Sequence, residues 1–274
     1  MLVAFDFGIT NTDVVVNKNS TNQFFSFPTQ EINENFMTHI FDSINCDVAN
    51  ISKIAVTGGK SSDLKDKYKN IKITKINEVD AIGFGAIAIY DIAEKPFVAV
   101  SAGTGTACIY HSDGNFNHLG GISVGGGTLQ GLSRHLIGLS NPQDIQEFAE
   151  KGNRKKLDYL IGDVVNEIGS LYPEITASNF GKARSHENLS NSDVAASISN
   201  MVGEVIGTIS YLNAMICNQD RVYFLGRVSL NKAIKTGIED RLNLANIKGL
   251  FKDCLLYTSP SPRDATLSRM PSSA

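Results

Sequence analysis

Two short segments carry the residue types that phosphate chemistry needs. Asp6-Phe7-Gly8-Ile9-Thr10 lies between the apolar runs Leu2–Phe5 and Val14–Val16. Ser101-Ala102-Gly103-Thr104-Gly105-Thr106 lies between Phe97–Val100 and Ala107–Tyr110. Each reads as strand, tight turn, strand. Glycine lets backbone N–H groups come close to an anion, and a threonine hydroxyl adds a donor. Either turn alone is compatible with an ordinary hairpin. Two of them, at equivalent places in a repeat of roughly ninety-five residues, point to a nucleotide gripped between two related lobes.

A third segment, Gly125-Gly126-Gly127-Thr128, precedes an expected helix. Three glycines permit a backbone that lies against a planar or anionic ligand, and a helix N-terminus favours anions. The same run also suits a tight crossover loop that needs positive φ. Two familiar phosphate loops are excluded. Gly59-Lys60-Ser61 resembles the end of a Walker A loop, but Ile54 stands where that motif needs glycine, and no G-x-G-x-x-G follows the first strand.

The elements that must position these turns follow from periodicity. Leu2–Val16 reads as a hairpin, with a third strand over Gln23–Phe27. Ile32, Phe36, Ile40 and Phe41 form a helical stripe over Ile32–Ser43. Strands are expected over Ile51–Val56 and Ile71–Ile76, and Asn77 caps a helix running to Tyr90 with Glu78 and Asp80 in its first turn. Phe97 restarts the hairpin theme, with an Asp113-Gly114 turn. Gly120–Gly127 reads as a loop leading into a helix from about Thr128 to Ile137. Val194, Ile198, Val202, Val205, Ile209, Leu212 and Ile216 keep helical steps across Ser192–Asn218, and a strand follows over Arg221–Leu225. The fold class is α/β in two lobes, 1–95 and 96–253, each a mixed sheet with helices.

Composition bounds the partners. The chain has 274 residues, is 42% hydrophobic and carries a net charge of −3, the pattern of a soluble globular protein rather than a nucleic-acid binder. No apolar run approaches the ~18–20 residues of a membrane helix, and no signal peptide is visible. Cys46, Cys108 and Cys217 show no metal-ligand spacing and read as buried thiols in a reducing cytoplasm.

Phosphate turns set between strands, rather than between strand and helix, resemble the actin/hexokinase/heat-shock-ATPase superfamily, with its ribonuclease H-like lobes. Four blocks narrow the resemblance: Asn77–Gly83, Ser101–Thr106, Gly120–Leu132 and Thr176–Gly181. In content and order they resemble type II pantothenate kinases, from Met1 to about Asp253. The resemblance implies ATP-dependent phosphorylation of the primary hydroxyl of pantothenate, the first step towards coenzyme A. It implies a homodimer built on the long helix. It also implies that Asp6 organises Mg²⁺ and that Gly8 and Thr10 approach the phosphates from one lobe. Gly103, Thr104, Gly105 and Thr106 would approach them from the other, while Gly125, Gly126 and Gly127 line the nucleotide site. Glu78 matches the catalytic glutamate that accepts the hydroxyl proton. His118-Leu119-Gly120-Gly121 falls where the family has Arg-Val-Gly-Gly, which assigns His118 and Gly121 to the substrate. Asp13 stands where many members have lysine and Ile9 where glycine is common. Arg134 or Lys60 could supply the charge that His118 lacks. Other readings of the same residues are a sugar or amino-sugar kinase of the superfamily, or a non-catalytic nucleotide- or acyl-coenzyme A-binding homologue.

Residues 254–274 break the pattern. They hold three of the seven prolines and no periodicity, and Cys254-Leu255-Leu256-Tyr257-Thr258-Ser259 resembles the translation of a transposase-type sequencing adapter. The expectation is a natural chain cut off near Asp253, without the strand and helix that follow Gly226 in related chains, and so an unfilled edge on the second lobe.

Overall fold

The structure is a computed structural model that describes residues 1–19, 21–92, 95–165, 172–184 and 189–252. The adapter-like segment and Glu94, next to the expected lobe boundary, lie outside the described residues. The chain divides into two compact units, 1–95 and 96–252.

In the first unit, six strands run β1 (Leu2–Phe7), β2 (Asn11–Lys18), β3 (Thr21–Pro28), β4 (Lys53–Thr57), β5 (Lys67–Tyr68) and β6 (Ile71–Lys75). They form one sheet in the order β3-β2-β1-β4-β6-β5. β1–β2–β3 is an antiparallel meander, and β4 and β6 lie parallel to β1. α1 (Glu34–Ser43) begins two residues later than the stripe suggests, because Asn33 takes the cap and accepts the Phe36 amide at 3.0 Å. Its Phe36, Met37, Ile40 and Phe41 join Val3, Phe5, Phe7, Ile54 and Val56 in one apolar core. Aromatic rings carry much of that core: Phe5 stacks on Phe7 and meets the edge of Phe41, both at 5.5 Å between centroids. α2 (Glu78–Tyr90) starts where Asn77 accepts the Val79 amide at 2.8 Å.

The second unit repeats the topology. β7 (Phe97–Ala102), β8 (Thr106–Ser112) and β9 (Asn115–Ile122) form the meander. β10 (Tyr159–Leu160) and β11 (Thr176–Ser178) make a separate ribbon. β12 (Arg221–Leu225) lies parallel to β7, and β13 (Lys248–Phe251) parallel to β12. The main sheet reads β13-β12-β7-β8-β9, the order of the first sheet without its short edge strand. The strand expected to be missing after Gly226 is therefore present as β13, and β12 is not an edge.

Five α-helices complete the described part of the unit: α3 (Gly126–Ile137), α4 (Pro142–Lys151), α5 (Ile161–Val164), α6 (Asn191–Ile216) and α7 (Lys232–Asn243). Ile198, Val202 and Ile206 of α6 and Ile234, Ile238 and Leu242 of α7 bury one face of the sheet with Val98, Val100, Val222 and Phe224. The periodic stripe expected along α6 does not stay buried to its end. Leu212 is 42% and Ile216 79% exposed, whereas Gly203, Gly207, Ser210 and Asn213 are buried. Close helix packing explains the shift. A Cβ on Gly203 would sit 2.3 Å from the Ile234 carbonyl oxygen and one on Gly207 2.8 Å from that of Ile238, so α7 lies against the small-residue face.

Candidate active site

In the first unit the Gly8–Thr10 turn joins β1 to β2. Gly8 is glycine for space: a Cβ there would lie 2.6 Å from the Asn11 carbonyl oxygen. Thr29, just past β3, ties the turn down. Its amide donates to the Thr10 carbonyl at 3.0 Å and its hydroxyl to the Gly8 carbonyl at 2.7 Å. Ile9 projects from the apex, 80% exposed. Asp6 is the penultimate residue of β1, directly across from Asp13 of β2 and beside Thr57 of β4. Its Oδ1 lies where a Cβ on Gly58 would come within 2.6 Å, and Gly58 has φ +74°. Glycine after β4 thus makes room for the Asp6 carboxylate.

Carboxylates directly opposite on a sheet repel one another, and a bound cation relieves this. Asp6 and Asp13 therefore fit a divalent ion in donor chemistry. Among the described residues no group of three or more histidine, cysteine, aspartate or glutamate side chains could hold a metal. Two hard oxygens supplemented by water and nucleotide phosphate suit Mg²⁺.

The second turn, Gly103–Gly105 between β7 and β8, is built differently. The Gly103 amide closes it onto the Gly105 carbonyl at 2.9 Å. The first two amides of α3, from Gly126 and Gly127, donate to the Gly103 and Thr104 carbonyls at 2.8 and 3.0 Å. The Thr106 hydroxyl donates to the Val124 carbonyl at 2.8 Å. Gly125 is glycine because a Cβ would come within 2.8–2.9 Å of the Gly103, Thr104 and Gly105 carbonyl oxygens. Its φ of 178° is extended backbone, so the positive φ considered for this run is not the reason. The expected Gly120–Gly127 loop is mostly strand and helix: β9 runs to Ile122 and α3 begins at Gly126. Gly121 pairs with Ala107, and a Cβ on it would lie 2.5 Å from the Thr106 carbonyl oxygen. Sequence reasoning missed Gly226, which follows β12 with φ +87° and packs on Ala102 at the end of β7 as Gly58 does on the end of β1. A lone glycine after a strand gives little signal of such a role.

Glu78 is the first residue of α2, exposed, and no hydrogen bond or ion pair engages its carboxylate among the described residues. His118 is exposed on β9 opposite Ile109, beside a register shift that places Leu119 as the extra residue. The Thr176–Gly181 block forms β11 and the turn after it, with Thr176 and the Phe180 amide bound internally and the buried Asn179 Oδ1 without a hydrogen-bond partner. Thr176 donates its amide to Glu204 at 3.3 Å and accepts from Asn200 and Arg154 at 3.2 and 2.9 Å. Glu204 pairs with Arg241 at 3.3 Å. Asp158, fully buried, accepts the Phe180 amide at 2.9 Å and the Ser197 hydroxyl. Burial pushes its carboxyl above the usual range, with Phe180, Ser197 and Arg154 offsetting part of the shift. Burial likewise raises the Cys108 thiol to about 11, which suits an inert core position.

Two tandem ribonuclease H-like sheets, each with a turn of this kind between its first two strands, define the actin-like ATPase class. Solved structures agree on the fold. An activator of the 2-hydroxyisocaproyl-CoA dehydratase from Clostridium difficile, with bound ADPNP, matches with a TM-score of 0.62 at 17% identity, over 97% of this chain and 92% of that one. A ROK family protein from Streptococcus pneumoniae TIGR4 in complex with sucrose matches with a TM-score of 0.50 at 11% identity, over 97% and 98%. Sequence relatives are more specific. The Fumble family matches residues 10–238. A type II pantothenate kinase of Bacillus thuringiensis subsp. konkukian is 36% identical over 189 residues, 66% of this chain and 68% of that protein. One from Staphylococcus saprophyticus is 28% identical over 232 residues, 82% and 84% of the two chains. The chain belongs to the type II pantothenate kinase family.

Proposed function

We propose that this protein transfers the γ-phosphoryl group of ATP to the primary hydroxyl of pantothenate, the first step towards coenzyme A. Family membership supports the reaction class. The observation that carries the chemistry is Glu78, an exposed and unengaged carboxylate at the first position of a helix, within the family-like Asn77–Gly83 block.

In this reading the substrate hydroxyl oxygen forms the new bond to the γ-phosphorus, and the bond from that phosphorus to the bridging oxygen breaks to release ADP. The hydroxyl proton passes to Glu78. Asp6, with Asp13 opposite, would hold Mg²⁺, which when bound would supply positive charge to the phosphate oxygens. Gly8 and Thr10 of the first unit and the Gly103–Gly105 turn of the second serve the phosphates. Transfer of this kind runs through a loose transition state, so positioning and donor groups supply most of the catalysis. His118 and Gly121 serve the acceptor. Histidine offers a single N–H donor in place of a guanidinium fork, which leaves a sugar as the second reading of the acceptor.

The exposed Leu212, Met215 and Ile216 near the end of α6 support assembly as a homodimer through that helix. The use of ATP as donor supports a cytoplasmic location. Coupled ADP release with pantothenate, set against a panel of hexoses and amino sugars, tests the proposal. Saturable turnover with pantothenate is expected. Faster turnover of a sugar, or none with any acceptor, overturns it.

A further inference from the structure

Asp6 has a polar neighbour on each side. Val3, Phe5 and Phe7 of β1, Val14 and Val16 of β2, and Ile54 and Val56 of β4 belong to the core that α1 covers. Strand alternation therefore puts Asp6, Asp13 and Thr57 on the opposite face of the sheet. Register sets them side by side, with Asp6 paired to Asp13 on one strand and to Thr57 on the other. Two residues back along β1 the same face is apolar, with Ala4 between Val15 and Ala55. The polar row thus belongs to the end of the sheet where the Gly8–Thr10 turn begins.

Thr57 is the member of that row that packing does not explain. Its Oγ1 is buried and has no hydrogen-bond partner among the described residues. An unpaired buried hydroxyl is destabilising, and valine would fill the same shape without that cost. Glycine at position 58 points to the reason. A Cβ there would lie 2.6 Å from Asp6 Oδ1, so the Asp6 carboxylate lies over the end of the strand that carries Thr57.

We infer that Thr57 is a positioning residue of the cation site, its hydroxyl oxygen accepting a hydrogen bond from a water ligand of the divalent ion that Asp6 and Asp13 would hold. This assignment rests on the kinase reading for the identity of the cation, and it adds an oxygen from a third strand. Mg²⁺ dehydrates reluctantly and keeps several waters, so a site built on two carboxylates needs further oxygens to orient those waters. A hydroxyl suits the place beside Asp6, because a third carboxylate in the row would add to the repulsion between the first two.

The test is calorimetric titration of the full chain with ADPNP, once in Mn²⁺ and once in EDTA, beside thermal melts of the metal-free protein. Wild type is expected to bind ADPNP more tightly in Mn²⁺ than in EDTA. Thr57→Val should lose about tenfold in Mn²⁺, the scale of removing one oxygen behind a metal's ligands, and nothing in EDTA. Its metal-free melting temperature should be equal to that of wild type or higher, because the substitution removes an unpaired buried hydroxyl and keeps the shape. Thr57→Ser should return to within about threefold of wild type. A purely structural Thr57 gives the opposite pattern: Thr57→Val melts lower or fails to fold, or keeps the full Mn²⁺ advantage, and either result overturns the inference. If Asp6→Asn loses that advantage while Thr57→Val keeps it, only the Thr57 assignment falls. If wild type binds ADPNP equally in Mn²⁺ and EDTA, the cation site falls with it. None of these readouts involves the acceptor, so they stand apart from the pantothenate assignment.

Discussion

The two units share a strand order but not a way of holding the turn between their first two strands. In the first, the Gly8–Thr10 turn is laced from the side by Thr29 and carries a largely exposed isoleucine at its apex. In the second, the Gly103–Gly105 turn is backed by the amides at the start of α3 and fitted against Gly125. The supporting cores differ as well. Stacked and edge-on aromatic rings occur in both units, and the second adds an ionic network in which the partly buried Arg241 and Arg154 meet the buried Glu204 and Asp158. One topology therefore holds its turn in two ways. In the proposed reading the first unit brings the groups that meet the metal and the proton, and the second brings a turn that serves phosphate.

Breaking each half separately sharpens this contrast. The largest effect is expected at Glu78. Glu78→Gln should lower kcat by about 10²–10⁴-fold, the usual share of a general base, with the melting temperature unchanged because the side chain makes no described contact. Next comes Glu204→Ala, which leaves the Arg241 guanidinium without its buried partner. Urea unfolding should show a loss of about 3–5 kcal/mol, confined to the second unit. Thr29→Val removes the hydroxyl that closes the first turn and should cost about 1 kcal/mol, with a smaller loss of ADPNP affinity than Gly125→Ala. The exposed Glu34–Lys65 pair of the first unit, 3.0 Å apart, is the control. Glu34→Ala should change stability by less than about 1 kcal/mol.

Acid should also separate the units. Burial pushes the Asp193 carboxyl up, but the Asn153 amide, the Lys156 ammonium and Ser190 together hold it well below the usual carboxylate range. A depressed carboxylate contributes stability above its unfolded pKa of about 3.9 and loses it as pH falls through the folded value. Asp193→Asn should flatten the acid limb of second-unit stability below about pH 4, and a thermal melt series against pH checks this.

The strand-turn-strand segments, the Asn77 cap, the Asp113-Gly114 hairpin and the span of α6 were legible because each rests on local chemistry. Short partners such as β5 and β10 have no periodicity to read and exist only through pairing. Other signals were present and passed over: Asn141-Pro142 opens α4 with a cap and a proline at its first position, and Ile234, Ile238 and Leu242 form a stripe in α7. The Gly120–Gly127 run misled because glycine reads as loop, whereas Gly121 is needed inside a strand and Gly126 and Gly127 inside a helix turn. The burial along α6 shifted because α7 selects small residues for close approach, a tertiary demand invisible in the apolar pattern. At the site, residue types identified both turns, yet the sequence held no sign that the α3 amides are spent on carbonyls.

One paired measurement tests the division of roles most directly: turnover with pantothenate and calorimetric ADPNP affinity, taken on Glu78→Gln and Gly125→Ala side by side. Glu78→Gln should bind ADPNP within about twofold of wild type while its turnover collapses, and Gly125→Ala should lose ADPNP affinity. Wild-type turnover of pantothenate by Glu78→Gln would contradict the account.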